Sequence, residues 1–386
     1  EAYILALFFA IAGPSVHVMR VATTCVSLIM IVLTWFLSSA LADQAKLKGN
    51  PKKTFMLIAT LVSALPPVYD TVLEMRAWGG YVEAMVTMLW ILLAALRLTQ
   101  RWQEQASSVE LALRWLGIGF LIGLGLWIDP LTVYALVTAA LWIGGSIIFG
   151  LLHPLQRPHA RRTLLIETLF ALVAIPGAVI GFIPGIIYGL QNQWANITFM
   201  FRSSAGQPSS LHQKLQLLSF YSTCTAPRVI GGSLPTQPYV RLGHPSTLTP
   251  DLIICFVCIV VAVVAIGLSF LWQHPAVVRT RQLTLIPSLF MIITTIVFCC
   301  STIVASETSL VGCSQRDQTG RYAGPLVIVL PFFIAAIVTL CWHFHAFRKA
   351  QRDATQTDQS PTVSATLLTR QTNRVLSWPV TITLLL

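Results

Sequence analysis

Apolar residues fall in long, nearly unbroken runs along this chain, with short polar segments between them. The complete runs cover residues 21–42, 54–69, 81–99, 111–128, 131–152, 163–190, 252–272, 283–304 and 325–347, and another opens near Trp378 and continues to Leu386. Most of them approach the roughly 20 residues that an α-helix needs to cross a bilayer. Lipid offers backbone N–H and C=O groups no partner outside their own segment, so each run is expected to be helical. The alternating period-2 pattern of a membrane β-barrel is absent. The pattern predicts an all-α integral membrane protein, a multi-pass bundle of about nine to ten spanning helices with a leading interfacial helix. Residues 1–386 form a single membrane domain, whose two ends look cut within longer segments.

Composition agrees with that pattern. Of 386 residues, 55% are hydrophobic and only 10% charged, and the mean hydropathy is +0.74. A soluble domain carries about 25% charged residues, so this surface does not face water throughout. The net charge of +11 raises the question of nucleic acid, but its distribution answers it. Loops from Lys46 to Arg352 on one side of the predicted membrane hold fifteen Lys and Arg, against eight on the other, four of them in one long loop. This is the bias of cytoplasmic over outer loops, so no nucleic-acid partner is expected. The outer side then holds residues 1–20, 66–80, the long loop 191–251 and a second loop, 305–324.

Cysteine and histidine add little. Cys255 and Cys258 form a C-x-x-C inside a predicted span with no acid or His nearby, and are read as small apolar filler. Cys224 and Cys313 lie in outer loops, where a disulfide is permitted. No histidine spacing suggests a metal, and a divalent metal requirement stays open. Glycine says more: Gly177, Gly181, Gly185 and Gly189 recur every fourth residue, as do Gly119 and Gly123. Such spacing lets helix backbones approach closely in lipid, while Pro176 and Pro184 should kink the first series.

No Asp, Glu, Lys or Arg lies near the middle of any complete run. Ion-coupled carriers usually keep a titrating group there. The polar chemistry instead gathers at the outer face, above all in residues 66–83. There Gly79 and Gly80 permit a tight entry into a helix whose first turn carries Glu83, aimed at the outer interface. Two readings stand for Glu83: a chemically active carboxylate, or one held by the helix dipole. Asp129 before Pro130 reads as a helix cap. Asn196-Ile-Thr198 is a glycosylation sequon on the same side.

Several short motifs, in order along the whole chain, resemble GT-C type glycosyltransferases, the group of the protein O-mannosyltransferases and lipid A aminoarabinose transferases. They are Glu1-Ala-Tyr, Gly13-Pro-Ser and Met19-Arg20; Pro66-Pro67 leading to Gly79-Gly80-Tyr81-Val-Glu83; the glycine-rich 117–127 closing in Trp-Ile-Asp-Pro; Pro184-Gly-Ile-Ile-Tyr188; and Gly320-Arg321-Tyr322-Ala-Gly-Pro325. The charge-derived orientation independently puts these loops on the outer face, where such enzymes work.

The resemblance implies transfer of a sugar from a polyprenyl-phosphate donor to a lipid, glycan or protein acceptor, at the outer face of the plasma membrane and without an organic cofactor. A carboxylate would act as general base on the acceptor hydroxyl, and cationic and tyrosyl groups would hold the departing phosphate. By position, Glu83 and Asp70 are the catalytic candidates; such sequences usually lack an acid at the Asp70 position, which weakens that assignment. Arg76, Tyr81, Arg321, Tyr322 and Glu1 are the substrate-binding candidates. Arg321 and Tyr322 equally suit an interfacial anchor. The resemblance also implies an upstream span followed by an outer loop bearing the principal acid, so that residues 1–386 alone would be inactive. Two other classes stay open: a carrier or flippase for a lipid or small solute, and a non-catalytic membrane relative.

Overall fold

The computed structural model describes residues 2–65, 80–152, 169–195, 198, 210–231, 250–271, 275–300 and 320–342. Among them there is no strand, and nearly all are helical. Helix α1 (Ala2–Ala12) is followed by α2 (Val16–Gln44), α3 (Asn50–Ala64), α4 (Tyr81–Gln103), α5 (Ser108–Ile128) and, after a 3₁₀ turn at Pro130–Thr132, α6 (Val133–Leu152). Next come a 3₁₀ turn at Phe170–Val173, α7 (Ala174–Gly181) and α8 (Ile183–Gln191). Then follow α9 (Leu211–Phe220), a π turn at Tyr221–Thr225, α10 (Ala226–Gly231), α11 (Pro250–Leu271) and α12 (Pro275–Cys300). The described chain closes with α13 (Gly320–Ala323) and the span Gly324–Trp342.

Among the described residues, six helices are long and apolar enough to cross a membrane: Val16–Gln44, Tyr81–Gln103, Ser108–Ile128, Pro130–Ile148, Val277–Cys300 and Gly324–Trp342. A seventh is counted if the bent pair Phe170–Gly181 and Ile183–Gln191 is one span. The chain is therefore an all-α membrane protein that passes the bilayer several times. The run expected at 54–69 is described as α3, whose 15 residues rise about 22 Å, short of a hydrocarbon core of about 30 Å. The leading helix α1 is shorter still, at 11 residues. The run expected near Trp378 lies outside the described residues.

Local signals start and stop these helices where the sequence suggests. Gly13 takes φ +81° after α1, Pro14 follows, and the Ser15 side chain caps α2 by accepting from Val18 N–H. Ser107 caps α5 in the same way through Glu110 N–H. Between α7 and α8 the axis bends by 51°. Pro184 stands in the first turn of α8, where it lacks an N–H and its ring crowds the carbonyl four residues back. Of the two prolines expected to kink this segment, Pro184 coincides with the bend. Pro176 follows the tighter 3₁₀ turn at Phe170–Val173.

α4 runs through the centre of the bundle, packed on α2, α5 and α6. Its Met85, Met88, Leu89, Ile91, Leu96 and Leu98 are at most 2% exposed. One continuous core joins it to α2, α3, α11, α12 and the last span through Phe55, Phe290, Phe332 and Phe333. Hydrogen bonds cross this core: Trp142 Nε1 donates to Thr99 Oγ1 at 3.0 Å, and the Thr34 and Ser63 hydroxyls join α2 to α3 at 3.2 Å. One end of the bundle carries the ion pairs. Asp43 meets Lys52 and Arg97, and Glu110 receives Arg101 and Arg114.

The closest contact is between α5 and α7. A Cβ at Gly119 would come 2.7 Å from the Ala174 carbonyl carbon, and one at Gly123 2.9 Å from that of Ala178. Reciprocally, a Cβ at Gly177 would run into the Leu116 carbonyl, and one at Gly181 into that of Phe120. Four glycines thus mesh two backbones, with Cα–H groups facing carbonyl oxygens. The series does not continue as one seam. Beyond the bend, Gly185 faces the Phe182 ring and Gly189 the Trp194 ring.

Candidate functional site

The site builds up from the start of α4, at the end of the bundle opposite the ion pairs. Gly80 takes φ +90°, ψ 5° as its N-cap, a left-handed conformation that favours glycine. Space demands glycine as well, since a Cβ there would stand 3.2 Å from the carbonyl oxygen of Ile128. The α4 start is thereby pressed against the last residue of α5. Gly80 O then accepts from Ala84 N–H at 2.8 Å, opening the helix that carries Tyr81 and Glu83.

Glu83 lies in the first turn of α4, as its sequence position implies. The residue is nevertheless covered, at 9% exposed. The reason is that α4 is central and buried on nearly every face, so even its first turn is covered. The positive end of the helix dipole stands beside the carboxylate. Thr87 Oγ1 donates to the Glu83 carbonyl at 2.7 Å, which leaves the carboxylate uninvolved in that bond.

Asp129 adjoins this start. Its carboxylate accepts from Leu131 N–H at 2.8 Å with Pro130 at N1, the capping role expected of it. Gly125 makes room for Thr132, with 3.1 Å between a built Cβ and its side chain. Two residues further, Tyr134 is 3% exposed, and its hydroxyl donates to the Tyr322 carbonyl at 3.2 Å. Gly80 thus touches Ile128 at one end of the 128–134 segment, and Tyr134 at its other end reaches Tyr322 at the mouth of the last span. Tyr81 and Tyr322 are both half-buried against the main core.

Of the candidate residues, Glu83, Tyr81 and Tyr322 are brought to this end of the bundle together. Arg321 lies in α13 beside Tyr322; its side chain falls outside the described residues, as do Glu1, Asp70 and Arg76. Two tyrosines stand here that the sequence did not single out. Tyr134 is hidden in an apolar run. Tyr221 sits within the segment expected to be a long outer loop, which contains helices. The Tyr221 ring packs against Phe298 with centroids 4.8 Å apart, and its hydroxyl is 3.2 Å from Thr295 Oγ1 on α12. Burial pushes the Tyr221 phenol up from its ordinary range, so it stays protonated and hydrogen-bonded.

No group of three or more His, Cys, Asp or Glu residues stands together among the described residues. Cys258 is a buried free thiol, consistent with packing filler. Chemically, the site offers a buried carboxylate at a helix start, beside tyrosines linked to the Arg321–Tyr322 turn. No protein-family model, curated protein or solved structure matches the chain.

Proposed function

We propose that this protein is a glycosyltransferase that moves a sugar from a polyprenyl-phosphate donor to an acceptor at the outer face of the plasma membrane, within a GT-C-like bundle of nine to ten spans. The observation that carries this reading is the buried Glu83 in the first turn of α4, whose start Gly80 presses against α5, at the end of the bundle where Tyr134 reaches the Tyr322 carbonyl. Glu83, with Asp70 as the second acid, takes the proton of the acceptor hydroxyl. The acceptor oxygen bonds to the anomeric carbon, and the bond from that carbon to the phosphate oxygen breaks. Arg76, Arg321 and Tyr322 hold the released lipid phosphate, and Tyr81 and Glu1 flank the sugar. A carboxylate in a water-poor setting suits base catalysis because the proton transfer competes little with solvent.

The test is consumption of polyprenyl-phosphate sugars, offered as a panel to membranes containing the full-length protein. Glu83→Gln should lower transfer by about 10²-fold or more with thermal stability little changed. Equal transfer by the variant would return Glu83 to its dipole role, and no consumption of any donor would remove the reading.

A second reading, a carrier for a lipid or small solute, draws on α12. There Thr284, Ser288 and Thr294 are buried at 0%, 5% and 0% exposure, and the Ser288 and Thr294 hydroxyls have no hydrogen-bond partner among the described residues. Uncharged hydroxyls inside a span are ligands that a carrier without midplane charge could use. Solute exchange across vesicles without sugar consumption would favour it.

A further inference from the structure

Helix α9 and the π turn after it lie in what the sequence presents as a long outer loop, yet they dock on the bundle. Leu217, Tyr221, Thr225 and Val229 are 1%, 5%, 3% and 0% exposed. They recur every fourth residue, and in a continuous α-helix such a stripe drifts by about 40° per step. The wider π turn at Tyr221–Thr225 rotates the stripe back, so Leu217, Tyr221 and Val229 all pack with residues of α12 and the Gly324–Ile328 turn, and Thr225 between them stays buried.

A second stripe lies about 100° around α9 from the docked one. It is Leu211, Leu215 and Leu218, exposed by 74%, 56% and 42%. About 100° further around stand His212, Gln216 and Ser219, all exposed, with His212 and Gln216 hydrogen-bonded to each other at 3.0 Å. Three faces therefore follow in order: docked, apolar and uncovered, polar. Ser210 caps the helix start by accepting from Gln213 N–H.

We infer that α9 is a membrane-surface helix, whose leucine stripe enters the outer leaflet while its polar face meets water. The occupant is fixed by continuity. α9 packs on α12, and beside the Thr295 that Tyr221 touches, α12 exposes Ile292 and Ile296 by 51% and 50%. α12 is a spanning helix, so that exposed side faces lipid, and the leucine stripe of α9 extends it sideways. α11, against which α10 packs, likewise exposes Phe256 and Val257. A helix with one apolar and one polar face settles at the headgroup boundary. The role is to hold the 211–231 segment against both bilayer and bundle, which keeps Tyr221 over the outer end of α12. This holds whether or not the protein transfers sugar.

The test places the photoreactive residue p-benzoylphenylalanine, one position at a time, in the full-length protein in phospholipid vesicles. After illumination, adducts are identified by mass spectrometry. Leu211, Leu215 and Leu218 positions should give phospholipid adducts several-fold more often than His212, Gln216 and Ser219 positions. Equal lipid adducts around the helix would overturn the inference. So would leucine positions that couple mainly to another part of the protein or to a second copy.

Discussion

Gly123→Ala adds one methyl group where the structure has no room for it. Its Cβ would lie 2.9 Å from both the Ala178 carbonyl carbon and the Phe182 nitrogen, against 3.4 Å for ordinary contact. The neighbours are backbone atoms at the end of α7, the Ala178 carbonyl oxygen nearest of all, so no side chain can swing aside; α5 and α7 must part by about 1 Å or more. A gap of roughly 0.5–1 Å forfeits a quarter to a half of each pairwise attraction along the seam. In lipid that packing is the main force between helices, because the tails are as apolar as the side chains. Overpacking of this kind costs about 1–3 kcal/mol, and alanine's better helix preference offsets up to about 1 kcal/mol of it. We expect a net loss of about 1–2 kcal/mol, with Gly119→Ala, Gly177→Ala and Gly181→Ala behaving alike. The structure supplies its own controls: a Cβ at Gly117 or Gly144 meets nothing within 4 Å. Reversible unfolding in mixed detergent micelles measures the difference. If Gly123→Ala unfolds at the same denaturant concentration as Gly117→Ala, the seam is not as tight as described and the reasoning fails.

Trp142→Phe keeps the ring packing but removes the donor to Thr99 Oγ1, which retains only its bond to the Leu96 carbonyl, so it should cost about 0.5–1.5 kcal/mol in the same unfolding assay; Thr99→Val in that background should add little. Pro184→Ala restores a backbone donor and should reduce the 51° bend, seen as a longer distance between spin labels placed near the two ends of 170–191. An unchanged distance would show that packing, and not the proline, sets the bend. Reporters fused after Lys53 or Arg162 should be cytoplasmic, and one near Ser209 outside. The reverse arrangement would remove the basis for an outer-face site.

The apolar runs alone determined that this is a helical membrane protein, because lipid leaves a buried backbone no other way to satisfy its hydrogen bonds. Several local features were also legible for local reasons. Gly80 and Glu83 at a helix start, Asp129 capping before Pro130, and Pro184 at a bend depend on a few neighbouring residues. The fourfold glycine spacing foretold a close helix contact, but not its partner. Only the fold paired Gly119 and Gly123 with Gly177 and Gly181, and sent Gly185 and Gly189 to side-chain rings. Tertiary structure likewise decided that Glu83 is enclosed, because burial of a first-turn residue depends on what surrounds the helix and α4 happens to be central. It brought Tyr134 to Tyr322 across 188 positions of sequence, and it folded part of the segment expected to be a long outer loop into a helix docked through Tyr221. Such contacts leave no periodic trace, since each partner is ordinary in its own segment and meaningful only when the two meet.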